Sequence, residues 1–159
     1  MRTTLTFLLI GASMLFATLH GVASSPKQPA FSITIGMEKP SLKAGSDVWI
    51  KITLTNTSDH DIDCSSAYVN GVDRRYQYDV RDNTGLSMQK KTEHPELVPG
   101  SIQLCTLKPG ESTTEESRIS WLHDLSRPGK YTVQVSRGVS DNEKDGVVKS
   151  NTTAVTVAE

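Results

Sequence analysis

Residues 48–55 read Val-Trp-Ile-Lys-Ile-Thr-Leu-Thr, with an apolar side chain at every second position. Successive side chains of a β-strand point to opposite faces, so Val48, Ile50, Ile52 and Leu54 share one face. The opposite face carries Trp49, Lys51, Thr53 and Thr55, and the lysine and threonines tolerate contact with water. Alternation over eight residues therefore predicts a half-buried strand whose apolar face lies on a core.

The same period of two recurs along the chain. We expect the apolar positions of six further segments to face a core: Phe31, Ile33, Ile35 and Met37; Tyr76, Tyr78 and Val80; Ile102 and Leu104; residues 113–121; Tyr131, Val133 and Val135; and Val155 and Val157. Turn-forming pairs such as Asn70-Gly71 and Pro109-Gly110 separate these segments. Seven to nine short strands punctuated in this way predict an all-β antiparallel sandwich. No window has an apolar stripe at helical spacing, although residues 121–125 are compatible with a single turn.

Composition narrows the class of protein. The chain has 159 residues, which suits one ordinary domain, and its 17 Lys+Arg against 18 Asp+Glu exclude a strongly basic nucleic-acid-binding face. A charged fraction of 22%, combined with regular apolar segments, is too low for a wholly disordered chain. We therefore expect a single folded domain over residues 31–158 that does not bind nucleic acid.

The amino-terminal segment has the pattern of a secretory signal peptide. Arg2 precedes a mostly apolar run over residues 5–19, and small residues follow it. This run is short for a membrane span, which needs about 20 apolar residues. We predict a signal peptide over residues 1–23 with cleavage near Ala23 or Ser24, then a mobile leader over residues 24–30. The exported product, secreted or periplasmic, is predicted to have no membrane span, and an uncleaved anchor is the alternative.

A second pattern makes the sandwich more specific. Residues 121–133 read Trp-Leu-His-Asp-Leu-Ser-Arg-Pro-Gly-Lys-Tyr-Thr-Val, a turn followed by a strand that opens with tyrosine. In immunoglobulin-like domains, a tyrosine at such a corner donates its hydroxyl to the backbone a few residues upstream. We predict this role for Tyr131, which follows the turn at Pro128 and Gly129. An ordinary half-buried strand tyrosine is the alternative.

Most of the chain after residue 25 follows one order of motifs. A strand ending in TLTNTS comes first, followed by YQYDVRDNTG, LKPGES, a tryptophan strand and PGKYTV. This order resembles the BsuPI-like family of bacterial proteinase-inhibitor domains. The matching positions are Asn56, Tyr76, Tyr78, Val80, Asp82, Gly85, Pro109, Gly110, Glu111, Trp121, Gly129 and Tyr131. The resemblance implies an immunoglobulin-like β-sandwich, a bacterial source and proteinase inhibition, although this chain has a Lys-rich insertion where the family has a tryptophan after Gly85.

Two cysteines, Cys64 and Cys105, remain after removal of the predicted signal peptide. In an oxidising compartment, an even pair in a small domain most simply forms a disulfide. Two free thiols are the alternative. The sequence has no CxxC motif that would indicate a redox or catalytic thiol.

Two acidic segments contain oxygen donors of the kind that bind metal ions. Asp59, Asp61 and Asp63 supply oxygen donors that suit a hard cation, but a solvated loop after a strand is the favoured explanation. Residues 141–146 match the first half of an EF-hand loop, yet position twelve would be Thr152 rather than the required glutamate. We therefore expect no bound metal, with the three aspartates as weak candidates.

Two asparagines, Asn56 and Asn151, lie in the acceptor pattern for N-glycosylation. The pattern has consequences only in a eukaryotic source, whereas the resemblance implies a bacterium.

Catalytic motifs are absent from the sequence, which has no GxSxG, HExxH or phosphate-binding glycine loop. We therefore predict an exported, non-catalytic immunoglobulin-like module, without a cofactor, that binds a protein or a glycan. The expected binding surface consists of two loops, residues 87–100 and residues 141–146. Their candidate residues are Gln89, Lys90, Lys91, Glu93, His94, Glu96, Asp141, Glu143 and Asp145. The alternatives are a proteinase inhibitor that presents an exposed loop and a structural envelope protein with no tight partner.

Overall fold

The computed structural model describes residues 29–91, 100–140 and 146–159. These ranges contain one helical turn, α1 (Ile119–Leu122), and twelve strands: β1 (Phe31–Met37), β2 (Ser41–Lys43), β3 (Trp49–Asn56), β4 (Ile62–Asp63), β5 (Ser66–Val69), β6 (Val72–Asp73), β7 (Gln77–Arg81), β8 (Ser101–Gln103), β9 (Thr106–Leu107), β10 (Ser112–Arg118), β11 (Gly129–Gly138) and β12 (Val147–Ala158). The predicted signal peptide and its cleavage site lie outside the described residues. So do residues 24–28 of the predicted leader and six loop candidates: Glu93, His94, Glu96, Asp141, Glu143 and Asp145.

Two sheets form the body of the fold. One has the order β1-β3-β10, and the other has the order β2-β12-β11-β7. All neighbouring strands in them are antiparallel except the short β2, which runs parallel to the end of β12. With β1, β3 and β10 opposite β7, β11 and β12, the arrangement is that of an immunoglobulin-like domain. The prediction of an all-β antiparallel sandwich is confirmed.

The core lies between these two sheets and contains most of the positions that alternation selected. Aliphatic side chains from both sheets fill it, and tyrosines lie at its margin. The predicted core residues that are buried are Phe31, Ile33, Ile35, Val48, Ile50, Ile52, Leu54, Tyr76, Tyr78, Val80, Tyr131, Val133, Val135, Val155 and Val157. Because every second side chain of a strand faces the opposite sheet, period-two patterning was sufficient to find them.

Residues 62–69 and 101–107 form a two-stranded ribbon beside the sandwich, here called the lateral ribbon. Its pairing keeps one register from Ile62 opposite Leu107 to Tyr68 opposite Ser101. In that register Cys64 lies directly opposite Cys105, and the two are joined by a disulfide with a Cα–Cα distance of 4.9 Å. The predicted disulfide is confirmed, and it crosses the lateral ribbon rather than the two sheets of the sandwich.

A tight hairpin continues the lateral ribbon into β6. Asn70 and Gly71 both have positive φ, 53° and 76°, and Val69 pairs with Val72 across them. Two consecutive residues with positive φ form the turn whose twist matches a two-residue hairpin, which explains the Asn-Gly pair. The hairpin returns the chain towards β10, where Arg118 N donates to Gly71 O.

One prediction about the core was wrong. Ile102 and Leu104 do not face a core, since they are 76% and 88% exposed. The reason is their position in the lateral ribbon: β8 is an edge strand there, and its neighbour β5 places only the small side chain of Ala67 opposite Ile102. Alternation identifies a strand, but a second sheet must cover it before its apolar face is buried.

The turn between the two sheets begins earlier than expected. Ile119 and Trp121 belong to α1 instead of extending β10, and His123 N donates to Ile119 O at the end of this single turn. After it, Tyr131 Oη donates to Arg127 O at 2.9 Å, which is the hydrogen bond of a tyrosine corner. In the described ranges, no helix has the length and apolar character needed to cross a membrane.

Candidate functional site

An open cleft of about 1400 Å³ lies at the end of the sandwich where β1 begins. The β3–β4 loop, the β6–β7 loop and the ends of the β11–β12 connection line it. Loops gathered at one end of a rigid sandwich are where immunoglobulin-like domains commonly carry their binding surfaces. We refer to this feature as the end cleft.

Asn56 organises the acidic rim of the end cleft. Its buried side chain donates from Nδ2 to His60 O at 2.8 Å and to Leu107 O at 2.9 Å, and its Oδ1 accepts from Ser58 N. One amide therefore holds the β3–β4 loop against β9. The loop presents Asp59 and Asp61 as exposed side chains to the cleft.

Basic side chains enter the end cleft from the β6–β7 loop. Arg75 Nη2 contacts Asp63 Oδ2 at 2.8 Å, and Arg74 is exposed on the rim. The Ser65 hydroxyl, and then Arg75, stabilise the Asp63 carboxylate and lower its pKa to about 2. Asp73 stabilises the β6–β7 loop, since its Oδ1 accepts a hydrogen bond from the backbone N–H of Arg75.

The floor of the cleft includes an arginine with little access to solvent. Arg137 on β11 is 6% exposed, and its guanidinium lies 5.8 Å from the Phe31 ring centroid and 5.6 Å from that of Tyr76. Its Nη2 donates to Asp63 O at 3.3 Å. Contact with two aromatic faces stabilises a guanidinium cation where water is scarce.

Behind Arg137 lies a set of partly buried polar side chains from β5, β7 and β10. Tyr68 Oη donates to Glu115 Oε2, and Tyr78 Oη bonds with Ser117 Oγ at 2.7 Å. Burial, and then the negative charge of Asp73, raise the pKa of Glu115, whereas Tyr68 and Arg137 act in the opposite direction. This set contributes the negative charge of Glu115, which the nearby positive charge of Arg137 stabilises.

The described residues of the first predicted binding loop lie on a side of the sandwich, not in the end cleft. Lys91 N donates to Leu122 O, and Lys91 Nζ donates to Ser120 O at 2.8 Å. Lys90 and Lys91 line a smaller pocket of about 310 Å³, and Arg74 lines both this pocket and the end cleft. Gln89 is exposed beside them.

The second predicted loop connects β11 and β12. Its candidate residues are outside the described ranges, but the residues that flank them, Ser140 and Gly146, line the end cleft. The described residues of the first loop therefore line the side pocket and the flanks of the second line the end cleft, and Arg74 lines both.

The three weak metal candidates do not converge. Asp59 Oδ1 bonds with His60 Nδ1 at 3.0 Å, which lowers the pKa of Asp59, whereas Asp63 bonds with Ser65 and Arg75. In the part of the chain that the structure describes, no group of three His, Cys, Asp or Glu side chains is placed to hold a metal ion.

The two glycosylation-pattern asparagines are both engaged in hydrogen bonds. Asn56 is buried as described above, and Asn151 bonds through its side-chain amide to the backbone of β1. Transfer of a glycan to either amide would require these bonds to break.

The described histidines make no nucleophile–base pair. His123 is 2% exposed, its Nδ1 lies 3.2 Å from Met88 O, and burial lowers its pKa. His60 bonds with Asp59 and is exposed. The geometry of the end cleft therefore suits binding through charges and hydrogen bonds.

Sequence reasoning missed Arg74, Arg75, Arg137 and Glu115 as parts of this site. Arg137 follows Tyr131, Val133 and Val135 at every second position, so alternation places it on the core-facing side of the strand. A charged residue at a core-facing position could have indicated a functional site. No local pattern marked Arg74 or Arg75 apart from their adjacency.

No family model and no curated protein matches the chain. Similar solved structures include a β-glucosidase from Listeria innocua in complex with gluconolactone, with 18% identity, a TM-score of 0.43 and coverage of 81% of this chain and 16% of that chain. A β-glucosidase from Erythrobacter marinus has 17% identity and a TM-score of 0.41, with coverage of 80% and 15%. The chain thus spans about one sixth of the length of these enzymes, and a likeness at this level assigns it no activity.

Proposed function

We propose that the protein is an exported, non-catalytic immunoglobulin-like binding module that holds a segment of a partner protein in the end cleft. The observation that carries the proposal is the charged, open cleft itself. Acidic side chains of one loop and basic side chains of another share its lining. Rims of opposite charge favour a partner with complementary charges and fix its orientation.

A protein partner is favoured over a glycan. Asp59, Asp61 and Arg74 offer exposed charges of both signs, which match the mixed side chains of a polypeptide and not a neutral glycan. The arginine floor and the Asn56 amide hold the rim in place before binding, which lowers the ordering cost of association.

The disulfide supports export. Disulfides persist in oxidising compartments and are rare in reducing ones, so Cys64 and Cys105 suit a secreted or periplasmic protein. Cell fractionation with an antibody against the chain tests this part, together with the mass of the processed product. Recovery from the cytosol at the full-length mass would contradict it.

The binding proposal is tested by charge reversal on the rim. The wild-type protein and Arg74→Glu are immobilised, incubated with extracellular and envelope proteins of the source organism, and compared by quantitative mass spectrometry. We expect at least one protein whose retention falls about fivefold or more in Arg74→Glu, because a favourable contact becomes repulsive.

Lys39→Glu is the matched control, since Lys39 is exposed, lies outside the end cleft and changes the net charge equally. Equal retention by wild type and Arg74→Glu would contradict the proposal. If nothing is retained by any form, the structural envelope role takes its place.

The resemblance to proteinase-inhibitor domains motivates one further assay. A panel of endopeptidases is assayed with stoichiometric amounts of the protein. Slowing of one enzyme that survives Arg74→Glu would replace the cleft proposal with inhibition through a loop.

A further inference from the structure

The strand β8 presents an open backbone edge. Ala67 O on β5 accepts from Arg74 N on the β6 side, so the neighbouring Ser66 and Tyr68 direct their backbone groups towards β8. Their partners in β8 are Gln103 and Ser101. Since hydrogen-bonding direction alternates along an antiparallel strand, the N–H and C=O groups of Ile102 and Leu104 point away from β5. Among the described residues, no strand pairs with that side.

The side chains at this edge are unusual for an open strand. Ile102 and Leu104 are the two most exposed large apolar residues of the described chain, and they lie two positions apart on the same face. Residues 100–107 include no charged residue, and no proline interrupts them. Open edges are normally protected by charges, proline or a bulge, and this edge has none of these over its length.

We propose that β8 pairs with β8 of a second copy of this chain, antiparallel, about a two-fold axis at Gln103. In this register Ile102 of each copy lies opposite Leu104 of the other, and the outward backbone groups of these residues hydrogen-bond to each other. The two cross-strand pairs bring four apolar side chains together on one face.

The strand itself favours a second copy as the occupant. Residues 102–104, the end of β8 and the residue after it, read apolar, polar, apolar and are symmetric about Gln103, as a two-fold interface requires. The absence of charge means that two identical edges meet without repulsion. A register shift of one residue would place Ile102 opposite Gln103 of the other copy and would lose the apolar pairs.

The short strand limits the strength of the contact. An interface of a few residues belongs with small, transient interfaces, so we expect association only at high protein concentration. This inference does not depend on the end cleft, which lies elsewhere on the molecule.

Sedimentation equilibrium of the purified disulfide-bonded protein between about 10 μM and about 1 mM tests the proposal. We expect a monomer–dimer equilibrium that Ile102→Lys weakens about tenfold or more, because it places a charge in the apolar cluster. Leu86→Lys is the matched control, since Leu86 is 70% exposed on the turn after β7 and outside β8. Circular dichroism verifies that each variant is folded.

The register has its own test. Ile102→Lys combined with Leu104→Glu places lysine opposite glutamate in both pairs, so we expect the double variant to dimerise more strongly than Ile102→Lys alone. Gln103→Cys places two cysteines directly across the axis, within the Cα separation of a disulfide. We expect it to form a cross-linked dimer on mild oxidation faster than Leu86→Cys.

A monomer throughout the concentration range overturns the proposal, as does a dimer that Ile102→Lys leaves unchanged. Equal cross-linking of Gln103→Cys and Leu86→Cys overturns the register. If an extended hydrophobic peptide binds the monomer and Ile102→Lys abolishes that binding without any dimer in the wild type, a foreign segment is the occupant and the second copy is excluded.

Discussion

The side chain of Asn151 on β12 bonds to both backbone groups of Ile35 on β1. Ile35 N donates to Asn151 Oδ1 at 2.8 Å, and Asn151 Nδ2 donates to Ile35 O at 3.0 Å. A bulge makes this reach possible, because Ser150 and Asn151 together oppose Val135 in the β11–β12 register. One amide thereby takes the place of a neighbouring strand and joins the two sheets at the open edge of β1.

Replacing this amide tests its contribution to stability. We expect Asn151→Ala to lower the free energy of unfolding by about 1–2 kcal/mol, because two hydrogen bonds are lost at a partly buried edge. Urea unfolding followed by tryptophan fluorescence measures the change. Thr152→Ala, at the exposed neighbouring position, serves as the control, and an equal loss in both variants would contradict the role assigned to Asn151.

Removal of the disulfide should lower the free energy of unfolding by more than Asn151→Ala does. The bond closes a loop with a sequence separation of 41 residues, for which the chain-entropy relation gives about 4 kcal/mol. We expect Cys64→Ala combined with Cys105→Ala to lose about this amount in guanidinium unfolding. The wild type in reducing agent provides the comparison, and stability unchanged in both would show that the lateral ribbon holds without the covalent link.

The Asp63 carboxylate should make stability depend on pH in the acid range. Its pKa in the folded protein is about 2, below the ordinary value of 3.8, so the unfolded chain binds more protons between these values. The stabilisation is therefore complete above about pH 4 and is lost as the pH falls towards 2. Because the carboxylate is 61% exposed, we expect only about 0.5–1 kcal/mol.

Urea unfolding at pH 7, 4 and 2.5 measures this effect in wild type and Asp63→Asn. We expect a flatter pH dependence in Asp63→Asn. Asp61→Asn is the control, because Asp61 is exposed two residues away and has no part in the contact with Arg75. A slope in Asp63→Asn equal to that of wild type would contradict the assignment.

Arg137 should be costly to replace even by a side chain of similar size. We expect Arg137→Met to lower the free energy of unfolding by about 2–4 kcal/mol. The substitution removes a buried cation and leaves Glu115 without the nearby positive charge of Arg137. Loss of that charge raises the pKa of Glu115 further above its ordinary value of 4.5, so this variant should gain stability as the pH falls from neutral towards that value.

A double variant separates the effect of the lost Arg137 charge on stability from the effect of its lost packing. Arg137→Met combined with Glu115→Gln should recover about 1 kcal/mol or more relative to Arg137→Met, because the unpaired acid is gone. Additive losses in the double variant would show that Arg137 and Glu115 do not interact.

Most of the sandwich followed from side-chain alternation and turn pairs. Val48 to Leu54 and Tyr131 to Val135 are buried in the predicted phase, and Asn70-Gly71 forms a turn between two strands. The exposure of Ile102 could not be predicted in this way. Alternation reports the pleat of a strand, whereas burial depends on which distant strands cover it.

The candidate site was harder to predict from the sequence than the fold, for a related reason. The candidates came from runs of charge in the sequence, such as Asp59 to Asp63, whereas the end cleft joins residues far apart in the chain. Arg137 and Asp63 are 74 positions apart and hydrogen-bond to each other. Contacts of that separation depend on topology, which local sequence patterns do not encode.

Asp63 connects the rim of the end cleft, its floor and the lateral ribbon. Its carboxylate binds Arg75 on the cleft rim, its carbonyl accepts from Arg137 in the floor, and its chain neighbour Cys64 is bonded into the lateral ribbon. Asp63 itself pairs with Thr106 in that ribbon, so a partner carboxylate that captured Arg75 would release a carboxylate of the ribbon. The lost contact between Asp63 and Arg75 would offset part of the new one, so such a partner would gain little net affinity through Arg75.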